Sequence, residues 1–120
     1  MRPTRALIHR RHLLANLAAV RRLVPPGTAV CAAVKADAYG HGAVSVTRWL
    51  TEAGVETFGV ATVEEGLQLR RAGVERPVFL LGTLQDDEVL AAVDADLDLF
   101  VWTVGAVQAL ASAARGRPSP

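Results

Sequence analysis

Of the 13 basic side chains in this sequence, only one, Lys35, is a lysine; the others are arginines. A guanidinium stays protonated near neutrality and forms no imine with an aldehyde, whereas an amine loses its proton and forms an imine once its site lowers its pKa. Chance in an arginine-rich chain explains a lone lysine equally well on counting alone, so its neighbours decide. Lys35 opens the run Lys35-Ala36-Asp37-Ala38-Tyr39-Gly40-His41-Gly42, directly after an apolar stretch. If that stretch is a strand of a parallel sheet, Lys35 stands at its carboxyl end, where α/β folds build active sites. Alternation then puts Cys31, Ala33 and Lys35 on one face, and the two small neighbours leave room beside the amine for a flat ring. Tyr39 offers a hydroxyl to a phosphate oxygen, and Gly40 and Gly42 let the backbone turn sharply against a ligand. The cluster suits an amine that forms an imine with a phosphorylated aldehyde.

The rest of the pattern supplies the elements that would position this cluster. Leu13, Leu17, Val20 and Val24 recur at helical spacing and predict a helix over 12–24, stopped by Pro25, Pro26 and Gly27. Residues 29–36 read as a short apolar strand of the kind buried on both faces of a parallel sheet. Ala43, Val46, Leu50 and Ala53 predict a second helix closed by Gly54, and 57–61 the next strand. Thr62 and Glu65 form a capping box ahead of a helix carrying Leu67, Leu69 and Ala72, with Gly73 past its end. Pro77 introduces a strand over 78–81, acids open a short helix over 86–93, and 97–101 reads as a fourth strand. Thr103 caps a last helix with Val104, Val107, Leu110 and Ala114 on one face, and Gly116, Pro118 and Pro120 end the chain in coil. Strand centres roughly 20 to 25 residues apart, with a helix in each interval, are the rhythm of repeated βα units and a parallel sheet. A small doubly wound sheet and part of a (β/α)8 barrel share that rhythm, and local pattern does not choose between them.

Composition excludes several classes. With 120 residues, 51% hydrophobic and 21% charged, the chain has material for one domain with a core. A net charge of +1 marks out neither nucleic acid nor an anionic membrane as a partner. A single cysteine permits no internal disulfide and fits a reducing compartment, and we expect a cytoplasmic protein. No apolar run approaches the ~20 residues of a membrane span. Arg2, Arg5, Arg10, Arg11, Arg21 and Arg22 all precede the first acid, Asp37. Without serine in that stretch, this is expected to be a cationic surface helix of the fold rather than a transit peptide.

Ala32-Ala33-Val34-Lys35-Ala36-Asp37-Ala38-Tyr39-Gly40-His41-Gly42 resembles the pyridoxal-phosphate lysine signature of alanine racemases. The likeness extends through Leu13-Leu14-Ala15-Asn16-Leu17, Ala53-Gly54, Val60-Ala61, the run Glu65 to Arg70, and the run Pro77 to Gly82. It implies an α/β fold, namely about the first four βα units of a (β/α)8 TIM barrel preceded by an N-terminal helix. Residues 1–120 would be the N-terminal part of the cofactor-binding barrel domain, with the later barrel half and the C-terminal β domain absent. It implies a cytoplasmic isomerase that interconverts L-alanine and D-alanine for peptidoglycan, a homodimer when intact. Lys35 would hold pyridoxal 5′-phosphate as a Schiff base and then act as the base on the D-alanine side. Tyr39 would hydrogen-bond the cofactor phosphate, Leu81 would line the pocket on the same face as Phe79, and no metal is implied.

Two departures accompany the resemblance. In the family a second base, a tyrosine of the partner subunit's β domain, serves the opposite face of the substrate, but Tyr39 is the only tyrosine here. Ile8-His9-Arg10-Arg11-His12 replaces the usual acidic start. The expectation is therefore an N-terminal fragment that does not racemise alone. The alternatives are a non-catalytic half-barrel that binds pyridoxal phosphate and, further off, a receiver-like doubly wound domain. Blander roles suit the remaining residues: His41 structural, His9 and His12 facing solvent, Cys31 a small buried hydrophobe, Asp86 and Asp87 a helix start, Trp49 and Trp102 packing.

Overall fold

The computed structural model describes residues 3–118; Arg2 of the basic run and Pro120 of the terminal coil lie outside the described residues. In chain order the elements are α1 (Arg10–Leu23), β1 (Cys31–Ala33), α2 (Lys35–Gly40), α3 (Ala43–Glu52), β2 (Thr57–Val60), α4 (Val63–Arg71), β3 (Val78–Leu80), a 3-10 turn (Asp86–Glu88), α5 (Val89–Asp94), β4 (Asp98–Leu99) and α6 (Val104–Ala114). The four strands form one parallel sheet in the order β1-β2-β3-β4. A doubly wound sheet reverses its strand order at a switch point. Sequential order throughout is barrel topology and settles the choice the pattern had left open.

Register fixes which residues share a face. Ala32 lies beside Phe58, Phe58 beside Val78, and Val60 beside Leu80. Phe58, Val60, Val78 and Leu80 are buried, together with Val46 and Leu50 of α3, Leu69 of α4 and Ala92 of α5. Each fully buried Phe or Leu of this kind contributes about 1.5–3 kcal/mol. The opposite face carries Cys31, Ala33, Gly59, Phe79 and, beyond β3 and β4, Leu81, Phe100 and Trp102. It is open: Leu81 is 45% exposed, Phe100 48% and Trp102 79%. Phe100 lies 6.1 Å from Phe79 and 6.3 Å from Trp102 between ring centroids, an aromatic ladder with no layer over it.

Several expectations change accordingly. The strands are shorter than the apolar runs, and β1 is covered on one face only, where Ala32 is partly buried, so Cys31 is exposed rather than a buried hydrophobe. Trp102 packs on Phe100 but is largely exposed. In α1, Leu13, Leu14 and Leu17 pack against the core, while Val20 is 47% exposed. In α6, Val104 and Val107 face outward and Ala113 is the buried residue, so the packed face is one step round from the expected stripe. The Thr62–Glu65 capping box and the Thr103 cap are present as expected. Acids far along the chain answer the cationic start. Arg10 pairs with Glu52 at 2.7 Å, and Arg21 donates to the Gly54 carbonyl at 2.8 Å and approaches Glu56 at 3.4 Å.

Candidate functional site

Val34 is the last buried residue of the first strand run, and Lys35 follows it at the carboxyl end of the sheet, half-buried. Among the described residues the Lys35 amine has no hydrogen-bond or ion-pair partner within the chain. The backbone then does something the sequence did not announce. Ala36, Asp37, Ala38 and Tyr39 all have φ between 50° and 55° with ψ between 40° and 48°, a complete left-handed helical turn made by residues with side chains. The expected loop at 40–42 is present, with Gly40 and Gly42 at positive φ, but it is the exit of this turn.

Left-handed backbone costs roughly 1–2 kcal/mol per residue that carries a Cβ. Such a turn persists only where its surroundings hold it. Four sets of bonds do so here. The Ala38 N–H donates to the Val34 carbonyl at 2.8 Å, and the Gly42 N–H to the Asp37 carbonyl at 2.9 Å. The His41 ring donates from Nδ1 to the carbonyls of Ala38 at 3.0 Å and Tyr39 at 3.1 Å, which requires the tautomer protonated there. Asp37 Oδ1 accepts the Ala43 N–H at 2.7 Å and so caps the start of α3. Glu65 Oε1, from α4, accepts the Ala36 N–H at 2.8 Å. His41 is therefore structural, as its loop position suggested. Asp37 and the reach of Glu65 to Ala36 were missed, because both depend on which segments the fold brings together.

Tyr39 projects from the turn, 61% exposed. It lines a cleft of about 490 Å³ around the edge of β1, together with His9, His12, Asn16, Ala33 and His41. His9 and His12 are exposed, their ring centroids 5.0 Å apart. Lys35 and Leu81 do not line that cleft; Leu81 belongs to the open face. Leu81 lies against Gly59, where an added Cβ would stand 2.7 Å from Leu81 Cδ1. A Cβ on Gly82 would stand 2.1 Å from the Ala61 carbonyl oxygen, so only glycine allows the ends of β2 and β3 to meet this closely. The fold thus places a partnerless amine at the carboxyl end of β1, a floor of Ala33, Gly59 and Leu81 on the open face, and a tyrosine hydroxyl in the separate cleft that shares Ala33. A planar ring with an aldehyde and an anionic substituent fits this donor set and this low floor.

A parallel βα sheet in sequential order, with its helices packed on one face and Lys35 at the carboxyl end of β1, defines a segment of a (β/α) barrel. The family pattern for the alanine racemase N-terminal domain matches residues 8–120. The alanine racemase of Geobacter sulfurreducens is 39% identical over 113 residues, which are 94% of this chain and 30% of that protein. That of Desulforamulus reducens is 38% identical over 102 residues, 85% of this chain and 28% of its own. The solved alanine racemase of Clostridium difficile 630 superposes with a TM-score of 0.85 at 30% identity, covering 88% of this chain and 28% of that one. The chain belongs to the alanine racemase N-terminal domain family, and its sheet corresponds to the N-terminal part of that barrel. It spans less than a third of the length of the curated relatives it matches.

Proposed function

We propose that this chain supplies the cofactor lysine and part of the cofactor pocket of an alanine racemase, a cytoplasmic, homodimeric enzyme that provides D-alanine for peptidoglycan. On this reading its residues are the first four βα units of the cofactor-binding barrel domain. The observation that carries the proposal is the placement of the single lysine: half-buried, without a partner among the described residues, at the carboxyl end of β1 beside a floor of small residues. When bound, pyridoxal 5′-phosphate delocalises the electron pair left as the α-proton of an amino acid departs.

The chain's own residues then have distinct tasks. Lys35 would hold the cofactor through its amine and would hold the proton exchanged on the D-alanine face of the substrate. Tyr39 donates its hydroxyl to the phosphate. Leu81, seated on Gly59, forms the apolar wall and keeps water from that side. Lys35 serves one face of the α-carbon only. By the family resemblance, the opposite-face base would be a tyrosine of the partner subunit in the intact enzyme.

The test is conversion of L-alanine to D-alanine, read with D-amino-acid oxidase. The 120 residues alone are expected to bind cofactor without turnover. A chimera in which they replace the matching part of the Geobacter sulfurreducens enzyme should racemise, and Lys35→Ala should lower that rate by about 10²-fold or more. Equal turnover with and without Lys35 would contradict the proposal. Cofactor binding by a folded chimera that never turns over would favour a non-catalytic pyridoxal-phosphate-binding half-barrel.

A further inference from the structure

We propose that the Glu65 carboxylate is the latch that holds the left-handed turn of α2, and through it a positioning residue for the Lys35 amine and the Tyr39 hydroxyl; the second part rests on Lys35 being the cofactor lysine. Four consecutive residues with side chains do not keep left-handed backbone by local preference. Asp37 and His41 bind the turn to itself and to the start of α3. Glu65 alone of these side-chain acceptors ties the turn to the end of the neighbouring strand, β2. Its Oε1 accepts from Ala36, the residue after Lys35, at 2.8 Å, and its Oε2 accepts from Ala61 at 2.7 Å and Thr62 at 3.2 Å at the end of β2.

A capping box needs one side-chain oxygen on the N-cap N–H. The second oxygen, bound to a backbone group 29 residues away, is not part of capping at all. It fixes the point where β1 gives way to the turn, and hence the direction in which Lys35 leaves the strand. Only a carboxylate offers an acceptor to both sides. A glutamine keeps one acceptor for the cap and turns an NH₂ toward the Ala36 N–H.

Glu65→Gln therefore separates the two roles, and Thr62→Ala is its counterpart, since it removes the Thr62 hydroxyl that accepts the Glu65 N–H without touching Ala36. Two readouts apply to the 120-residue chain: amide exchange at Ala36, which needs no cofactor, and titration with pyridoxal 5′-phosphate, scored as borohydride-trapped label on Lys35. In E65Q we expect Ala36 exchange about tenfold faster and cofactor binding about tenfold weaker, with Tm within a few degrees of the parent. In T62A we expect a lower Tm with both other readouts unchanged. Glu65→Asp, one methylene too short to span the gap, should behave as E65Q does. Unchanged Ala36 exchange in both Glu65 variants overturns the latch. Faster exchange with undiminished labelling, or losses in both variants that merely follow Tm as in T62A, overturns the positioning role. If the parent chain itself takes no label, the cofactor reading fails, and the exchange arm still decides whether Glu65 holds the turn.

Discussion

Lys35 and Tyr39 stand at the two ends of a turn that their own residue types disfavour, so their relative placement is a property of the fold and not of the local sequence. The lysine was legible because it is alone, and the tyrosine because it follows a strand end at loop distance. The turn's handedness was not: Ala36, Asp37 and Ala38 carry no glycine-like signal, and the bonds that compensate come from His41, Ala43 and Glu65. If Tyr39 serves the phosphate, its hydroxyl makes a hydrogen bond to a charged group, worth about 1.5–3 kcal/mol. Tyr39→Phe should then weaken pyridoxal 5′-phosphate binding about 10- to 100-fold and leave the binding of phosphate-free pyridoxal unchanged. An equal loss for both ligands would assign Tyr39 to packing instead.

At the scale of elements, caps and glycine stops were readable because they are local: Thr62, Thr103, Gly54 and Gly73 all act within a few residues of themselves. Strand lengths and the packed face of α6 were not, since they depend on what covers each face. The same distinction governs stability. Gly82→Ala drives a Cβ into the Ala61 carbonyl, a backbone atom that cannot yield, and should destabilise by about 1–3 kcal/mol in denaturant unfolding. Glu56 joins three elements: its carboxylate accepts the Val30 N–H at 2.8 Å and meets Arg21 at the end of α1. The Val30 N–H above all, then the backbone N–H of Glu56 itself and Arg21, hold its pKa below the ordinary 4.5 against the opposing effect of desolvation. A carboxylate depressed in the folded state adds stability that is full above its unfolded value and is lost as pH falls through the folded one. Melts in steps from about pH 7 to pH 3 should show Tm falling below about pH 4.5, and less steeply in Glu56→Gln. Parallel profiles for the two proteins would remove Glu56 from the acid response.

The whole molecule is flatter and more exposed than its size requires. Its radius of gyration is 16.4 Å and its extents 48 × 47 × 24 Å, against a radius of roughly 14 Å for a compact domain of this length. Its accessible surface is 8263 Å², where a compact monomer of 12.7 kDa has roughly 6,200 Å². The open face adds to this surface with Leu81, Phe100 and Trp102 exposed, and β1 and β4 are the outer strands of the sheet. Unpaired strand edges beside an apolar face drive association. Expressed as these 120 residues, the chain should elute from sizing columns above its monomer mass, increasingly so with concentration. Phe100→Lys should shift it toward monomer, and a monodisperse monomer at all concentrations would contradict this account of the open face. Sequence rhythm gave four βα units, but it could not say that all helices lie on one side, which is what leaves the other side bare.

The central claim is that Lys35 is the residue that takes the cofactor. Its most direct test is to incubate the chain with pyridoxal 5′-phosphate, reduce with borohydride and map the adduct by peptide mass. Because Lys35 is the only lysine, the other amine in competition is the α-amine at Met1, which lies on a different peptide. The account predicts label on the peptide containing Lys35 and its loss in Lys35→Ala. Label on the α-amine alone, with Lys35 unmodified, would contradict it.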